Sequence, residues 1–123
     1  MKEISIELPI PISVNKAYAG NGRIRYKSRE YKEYEEKVKE IMQNAKTLEI
    51  DPLKWVVAEY RFFFPLYFKN GKIRKRDVAN LEKVLSDTLT HHIKGFRDEN
   101  IIKLTLTKIN SLDECVVVKL KTI

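Results

Sequence analysis

Trp55-Val56-Val57-Ala58-Glu59-Tyr60-Arg61-Phe62-Phe63-Phe64, closed by Pro65, is a run of β-branched and aromatic residues that predicts a strand. Asp51-Pro52 marks the turn before it. On both sides the apolar period changes from that of a strand to that of a helix. Upstream, Tyr31, Tyr34, Val38, Ile41, Met42 and Ala45 recur at helical spacing with Ser28 available as N-cap, predicting a helix from about 28 to 47. Downstream, Val78, Leu81, Val84, Leu85 and Leu89 share one face of a second helix, and Gly95 is well placed as its stop.

Further out, the alternation returns. Ile4, Ile6, Leu8 and Ile10 face one way with Glu3, Ser5 and Glu7 between them, and Pro9 and Pro11 mark this as an edge strand or extended arm. Ile102, Leu104 and Leu106 alternate in one late strand, and Val116, Val118 and Leu120 in another. The Asn110-Ser111-Leu112-Asp113 link is short enough for a hairpin between those two. Residues 13–27 and 68–76 read as loops, the second with a turn signal at Asn70-Gly71. The expected order is β-α-β-α-β-β: one α+β domain over residues 1–123, with two main helices on one face of a mixed sheet.

The chain has 123 residues, 43% of them hydrophobic and 33% charged, enough for a single core. No run approaches the ~20 apolar residues of a membrane span. The N-terminus lacks a signal-peptide pattern and Cys115 is the single cysteine, which together fit a cytoplasmic protein. Cys115 precedes Val116-Val117-Val118 and is expected to be buried as a small hydrophobe. A net charge of +7 points to a polyanionic partner, nucleic acid first; a solvated lysine-rich surface explains the charge equally well.

The chemistry concentrates in Lys72-Ile73-Arg74-Lys75-Arg76-Asp77-Val78-Ala79-Asn80-Leu81-Glu82-Lys83, a basic loop that runs into an acid at a helix start. Asn80, Lys83 and Asp87 form a polar face opposite the leucine stripe. Asp98, beyond the helix stop, meets Asp77 at one end of the sheet if strand and helix pack together. Phosphodiester cleavage calls for such a set: carboxylates hold Mg²⁺, which activates water and offsets charge on the phosphorane, while a lysine adds a point charge. On composition and spacing alone the plainer readings stand beside this one. Asp77 is then a helix cap or first-turn acid, Lys83 a solvated helix residue and Asp98 a turn residue.

Three ordered motifs tip the balance. Leu8-Pro9-Ile10-Pro11-Ile12-Ser13-Val14-Asn15-Lys16-Ala17-Tyr18 resembles the N-terminal signature of RusA-type Holliday-junction resolvases, and Ser28, Glu30 and Tyr34 continue it. Asp77-Val78-Ala79-Asn80-Leu81, then Lys83 and Asp87 before Leu89, resembles that family's Asp-x-Asp-Asn-Leu motif with its lysine and later Asp-Ala-Leu. Asp98, followed by Ile101 and Ile102, resembles its last catalytic acid. The resemblance covers nearly the whole chain, with a few extra residues in the basic loop. It implies a homodimer of bacterial or prophage origin that binds four-way junction DNA and nicks two strands symmetrically with Mg²⁺. Asp77, Lys83 and Asp98 are then catalytic, the two acids also binding metal, with Asn80 and Asp87 in support. Lys72, Arg74, Lys75 and Arg76 are expected to contact the DNA backbone, with Asn15 and Lys16 as further DNA contacts.

The departure is Ala79, where the motif has its second acid. A methyl group coordinates no metal, so cleavage is expected to be impaired. Glu82 is near in sequence, but three positions round the helix it is expected to point elsewhere. Either a deliberate Asp-to-Ala substitution or natural loss of cleavage explains the change, and the otherwise intact motif fits the first better. The rival classes are a non-catalytic basic nucleic-acid-binding module, which explains the charge but not the linked Asp77, Lys83 and Asp98, and a structural domain, which explains neither. His91 and His92 are expected to be ordinary helix C-terminal residues rather than ligands. Trp55 and Phe62-Phe63-Phe64 are expected in the core, while Tyr18 and Tyr26 are candidates for base stacking.

Overall fold

The computed structural model describes residues 2–20, 25–44 and 48–123. The expected strand is β4 (Val56–Phe64), and its alternate residues Val56, Ala58, Tyr60, Phe62 and Phe64 are all buried. It sits inside a four-stranded sheet with β1 (Glu3–Leu8), β5 (Ile101–Asn110) and β6 (Cys115–Thr122), in the order β1-β6-β4-β5. β1 pairs antiparallel with β6 alone, from Glu3 opposite Lys121 to Leu8 opposite Val116, so the proline-flanked strand does lie at an edge. β6 runs antiparallel to β4, and β5 runs parallel to it, which makes the sheet mixed.

That order corrects the expected hairpin between the last two strands. β5 and β6 both pair with β4, on opposite sides, so the 110–113 link crosses the end of β4 instead of turning back on itself. Ser111 N–H donates to the Phe64 carbonyl at 3.1 Å, and Leu66 N–H to Asn110 Oδ1 at 2.9 Å, fastening the crossing. A second correction falls at Ile102. The β4–β5 register steps from Val56–Ile101 to Val57–Lys103, leaving Ile102 as the extra residue of a bulge. It is therefore 55% exposed, while Ile101, Leu104 and Leu106 pack on the core.

Two helices cover the sheet: α2 (Arg29–Asn44) and α3 (Ala79–His92). Ser28 Oγ accepts the Tyr31 amide at 3.1 Å, the expected cap of α2; the expected end of this helix, 45–47, lies outside the described residues. Tyr34 and Val38 of α2 join Leu81, Leu85 and Leu89 of α3 in the same cluster as the buried β4 side chains. Each such leucine contributes about 1.5–3 kcal/mol by burial. α3 ends at His92, and the chain then turns through Gly95 at φ +83°, where a Cβ would stand 1.9 Å from the Ile50 carbonyl oxygen.

The two loops hold more order than their sequences suggest. Within 13–27 the chain makes a four-residue helix, α1 (Val14–Ala17), and a short antiparallel pair of β2 (Tyr18–Ala19) with β3 (Tyr26–Lys27). Ala17 packs beside Tyr31 and Val84 in a second small cluster; residues 21–24, including Gly22 and Arg23 of the expected loop, lie outside the described residues. Residues 66–74 fold back as a hairpin, with Tyr67 opposite Ile73 and Gly71 at φ +82° in the expected turn. No helix among the described residues is long and apolar enough to cross a membrane.

Candidate active site and nucleic-acid interface

The start of α3 carries the first candidate acid. Asp77 Oδ1 accepts the Ala79 amide at 3.0 Å, and the Asp77 carbonyl accepts the Asn80 amide at 3.2 Å, so this residue does close the first turn. Asp77 also lines an open groove of about 530 Å³. One wall is Pro9 to Ser13 with Asn15 and Lys16; the other is Arg76, Asp77, Asn80 and Leu81, with Glu114 at the side. Two segments sixty positions apart at their nearest, each singled out in the sequence, thus build one groove. α1 makes this possible: one helical turn, closed by Lys16 N–H on the Ser13 carbonyl at 3.0 Å, places Asn15 and Lys16 along the wall.

One and two turns further, α3 carries the second cluster. Lys83 Nζ lies 3.1 Å from Asp87 Oδ1, the partner that helical spacing supplies, and 3.8 Å from Asp98 Oδ2. Asp98 reaches it from the 3-10 turn Asp98–Asn100, which packs on α3 just before β5. The hydrogen bond and charge of Asp87 raise the Lys83 pKa, with Asp98 and Glu82 adding to them against a small burial effect. Lys83 is therefore a fixed positive charge at neutral pH rather than a base.

Glu82 corrects an expectation. Its Oε1 accepts from Ser86 Oγ at 2.7 Å, and Ser86 Oγ pairs with the buried Tyr60 hydroxyl at 2.9 Å. The Tyr60 pKa is raised by burial, and the charges of Glu82 and Asp98 both act on it. Glu82 therefore faces the same cluster as Lys83 and Asp98 instead of pointing away. The physical reason is elementary: residues three apart on a helix are neighbours, so Glu82 lies on the face that Ala79 begins.

Asp77 is held at the head of α3 by the Ala79 amide, whereas Asp98 faces Lys83 further along the same helix. Among the described residues, no three His, Cys, Asp or Glu side chains gather as metal ligands. An Mg²⁺ ion needs oxygen donors in near-octahedral array. Here the Lys83 ammonium bridges Asp87 and Asp98, an Asp77 oxygen is committed to the Ala79 amide, and position 79 offers a methyl group. The residues present do not complete an Mg²⁺ site.

The cations divide into two kinds. Lys72, Arg74 and Lys75 are exposed on the 66–74 hairpin and just beyond it. Arg76 is half-buried, with Nη1 2.6 Å from Glu114 Oε1 and its guanidinium 5.0 Å from the Phe64 ring centroid, which fixes its direction along the groove wall. In the other loop, Arg25 lies 5.6 Å from the Tyr18 ring, Tyr18 meets Tyr31 edge-on at 5.8 Å, and Tyr26 is exposed. Phe62 and Phe64 are buried as expected, but Trp55, just before β4, is 53% exposed. Cys115 is half-buried, with burial the first cause of its raised pKa. His92 is partly buried, its pKa lowered by burial and then by His91. Sequence reasoning missed exposed Tyr67, Phe68 and Ile73; the available signal was apolar residues interleaved with Lys69, Lys72 and Arg74.

The family model for Endodeoxyribonuclease RusA matches residues 9–121, nearly the full chain. No individual curated protein matches the sequence.

Proposed function

Because this chain belongs to the RusA endodeoxyribonuclease family, we propose that it binds four-way DNA junctions as a homodimer, and that Ala79 impairs its Mg²⁺-dependent nicking. The observation that carries the reading is the shared groove, where the N-terminal motif and the Asp77–Leu81 motif face each other. A two-fold dimer suits the pseudo-two-fold symmetry of a junction, and it presents two copies of a +7 chain to a polyanion.

The roles of the residues follow from their chemistry. Lys72, Arg74, Lys75 and Arg76 bind backbone phosphates, with Asn15 and Lys16 on the opposite wall. Lys83, held protonated by Asp87, supplies positive charge beside the phosphate to be cut. Asp77 and Asp98 are the family's acids in this chain, and Asn80 and Asp87 support their geometry. With Ala79 in place the donor set is one carboxylate short, and the hydrolytic step is the one that suffers. The same gap favours a second reading, a basic module that binds nucleic acid without cutting it.

The test compares the chain and its Ala79→Asp variant on labelled four-way junctions with Mg²⁺. Both are expected to bind junctions in preference to linear duplex, and the variant alone to release paired, symmetric nicks. A variant that binds but never cuts would remove the nuclease assignment and leave the binding module. Preference for duplex or RNA would remove the junction as substrate.

A further inference from the structure

The 66–74 hairpin does not line the groove, yet it is a well-ordered exposed segment held by its own hydrogen bonds. Phe68 N–H donates to the Lys72 carbonyl at 2.8 Å, Arg74 N–H to the Leu66 carbonyl at 2.7 Å and Gly71 N–H to the Phe68 carbonyl at 2.9 Å. Asn70 Oδ1 adds a bond from the Lys72 amide at 3.0 Å. On this frame, Tyr67, Phe68 and Ile73 are 55%, 48% and 70% exposed. Single exposed apolar residues are ordinary. Three on one short, hydrogen-bonded hairpin are not.

Their setting identifies the partner. Tyr67 and Ile73 are a cross-strand pair and so share one face. Phe68 lies under the Arg74 guanidinium at 4.8 Å. Residues 66–76 contain cations and no acid, and the chain runs from this hairpin directly into Arg76 and Asp77 of the groove. Phe68, next along the strand, lies on the opposite face, so the hairpin carries an aromatic ring on each side among its cations, which fits insertion between two base-pair faces within a phosphate backbone. Inside a continuous duplex the base faces are covered by their neighbours, and opening a step means breaking that stacking. At a branch point the stacking is already interrupted, so a base-pair face is open at little cost.

We propose that the 66–74 hairpin is a wedge that stacks Tyr67 and Phe68 on the base pairs at the branch point of the DNA, and so selects junctions over linear duplex. This deepens the junction-binding reading and rests on it. The surrounding cations supply affinity for any DNA; the aromatic pair supplies preference for interrupted stacking.

The test uses the full chain, a four-way junction carrying 2-aminopurine next to the branch point, and a linear duplex of the same arms. Tyr67→Ala/Phe68→Ala removes the aromatic surface and keeps the cations. Junction affinity is expected to fall about tenfold or more, as loss of base–aromatic stacking does. Duplex affinity and the salt slope stay unchanged, and the fluorescence change on binding is lost. Phe68→Trp keeps a ring and is expected to keep junction affinity, which separates stacking from a folding defect. If wild-type chain prefers junctions and the double variant binds them equally well with the same fluorescence change, the wedge is wrong and the junction reading survives. If wild-type chain shows no preference for junctions, the reading beneath the wedge fails, and the wedge with it.

Discussion

Gly95 and Gly71 have almost the same backbone conformation, φ +83° and +82°, in opposite surroundings. A Cβ at 95 would stand 1.9 Å from the Ile50 carbonyl oxygen, 3.0 Å from its carbon and 3.4 Å from Pro52 Cδ, whereas at 71 it meets nothing within 4 Å. Both alanine substitutions incur the left-handed penalty of about 1–2 kcal/mol. Gly95→Ala must in addition drive Ile50 back by about 1 Å or more. That movement disrupts the backbone bonds from Ile50 N–H to the Lys94 carbonyl, 2.8 Å, and from Lys94 N–H to the Leu48 carbonyl, 3.2 Å. At about 1 kcal/mol net for each, the total for Gly95→Ala reaches about 3–4 kcal/mol.

A chain of 123 residues has roughly 6–18 kcal/mol to lose. Gly95→Ala is therefore expected to lower Tm by roughly 12–16 °C, and Gly71→Ala by roughly 4–8 °C. Thermal melts give the two shifts, and urea titrations check that the m-values stay equal. Because the two positions share a φ, the difference isolates the close approach at Ile50. Equal losses, or a larger loss at Gly71, would refute the argument that residues 94–95 are clamped against 48–52. The consequence reaches the site, since this clamp leads three residues later to Asp98.

Two other perturbations test separate layers. Lys75→Ala is expected to weaken junction binding and to flatten the plot of log affinity against log salt by about 0.9 for one lost phosphate contact; an unchanged slope places Lys75 outside the interface. Burial raises the pKa of Tyr34 and Tyr60 and brings Tyr31 to about 12 from 10.0. The folded values exceed the unfolded ones, so this stability is whole below the unfolded pKa of 10.0 and is lost as pH climbs through the folded values. Ultraviolet titration is expected to show a delayed tyrosinate fraction that ionises together with unfolding. Its full appearance near pH 10 in the folded chain would contradict the packing of these rings.

Features written in side-chain period were legible in the sequence, and features fixed by partner choice were not. The leucine stripe of α3 and the Val116-Val118-Leu120 alternation of β6 each imply a buried face, and each has one. Alternation does not say which strand lies beside which, so the late strands read as a hairpin although β4 separates them. A bulge shifts the phase of a strand within one residue, which exposes Ile102 against the pattern. α1 has four residues, too few for a helical period to register. Among the candidate site residues, Asp77 and Lys83 stand out because the motif names them. The Tyr60–Ser86–Glu82 chain escaped because it joins a strand to a helix through hydroxyls that have no characteristic spacing.

The groove and the chemistry depend on different things, and that separates binding from cutting at a single position. The groove is built by the backbone: Asp77 closes the first turn of α3 through the amide of residue 79, a bond that any non-proline side chain there permits. Leu81, Leu85 and Leu89 hold the helix on the sheet from the face opposite the polar residues. Ala79 is exposed at the first position of that helix, where an aspartate would favour the helix dipole and sit close to Asp77 and Glu82, opposing effects each below about 1 kcal/mol. A change between Ala and Asp at 79 therefore leaves fold, groove and cations in place and alters only the oxygen donors beside them. On the proposed function, a chain with Ala79 keeps the surface for holding DNA and lacks one ligand for breaking it, so Ala79→Asp is expected to change the rate of cleavage far more than the affinity for the junction.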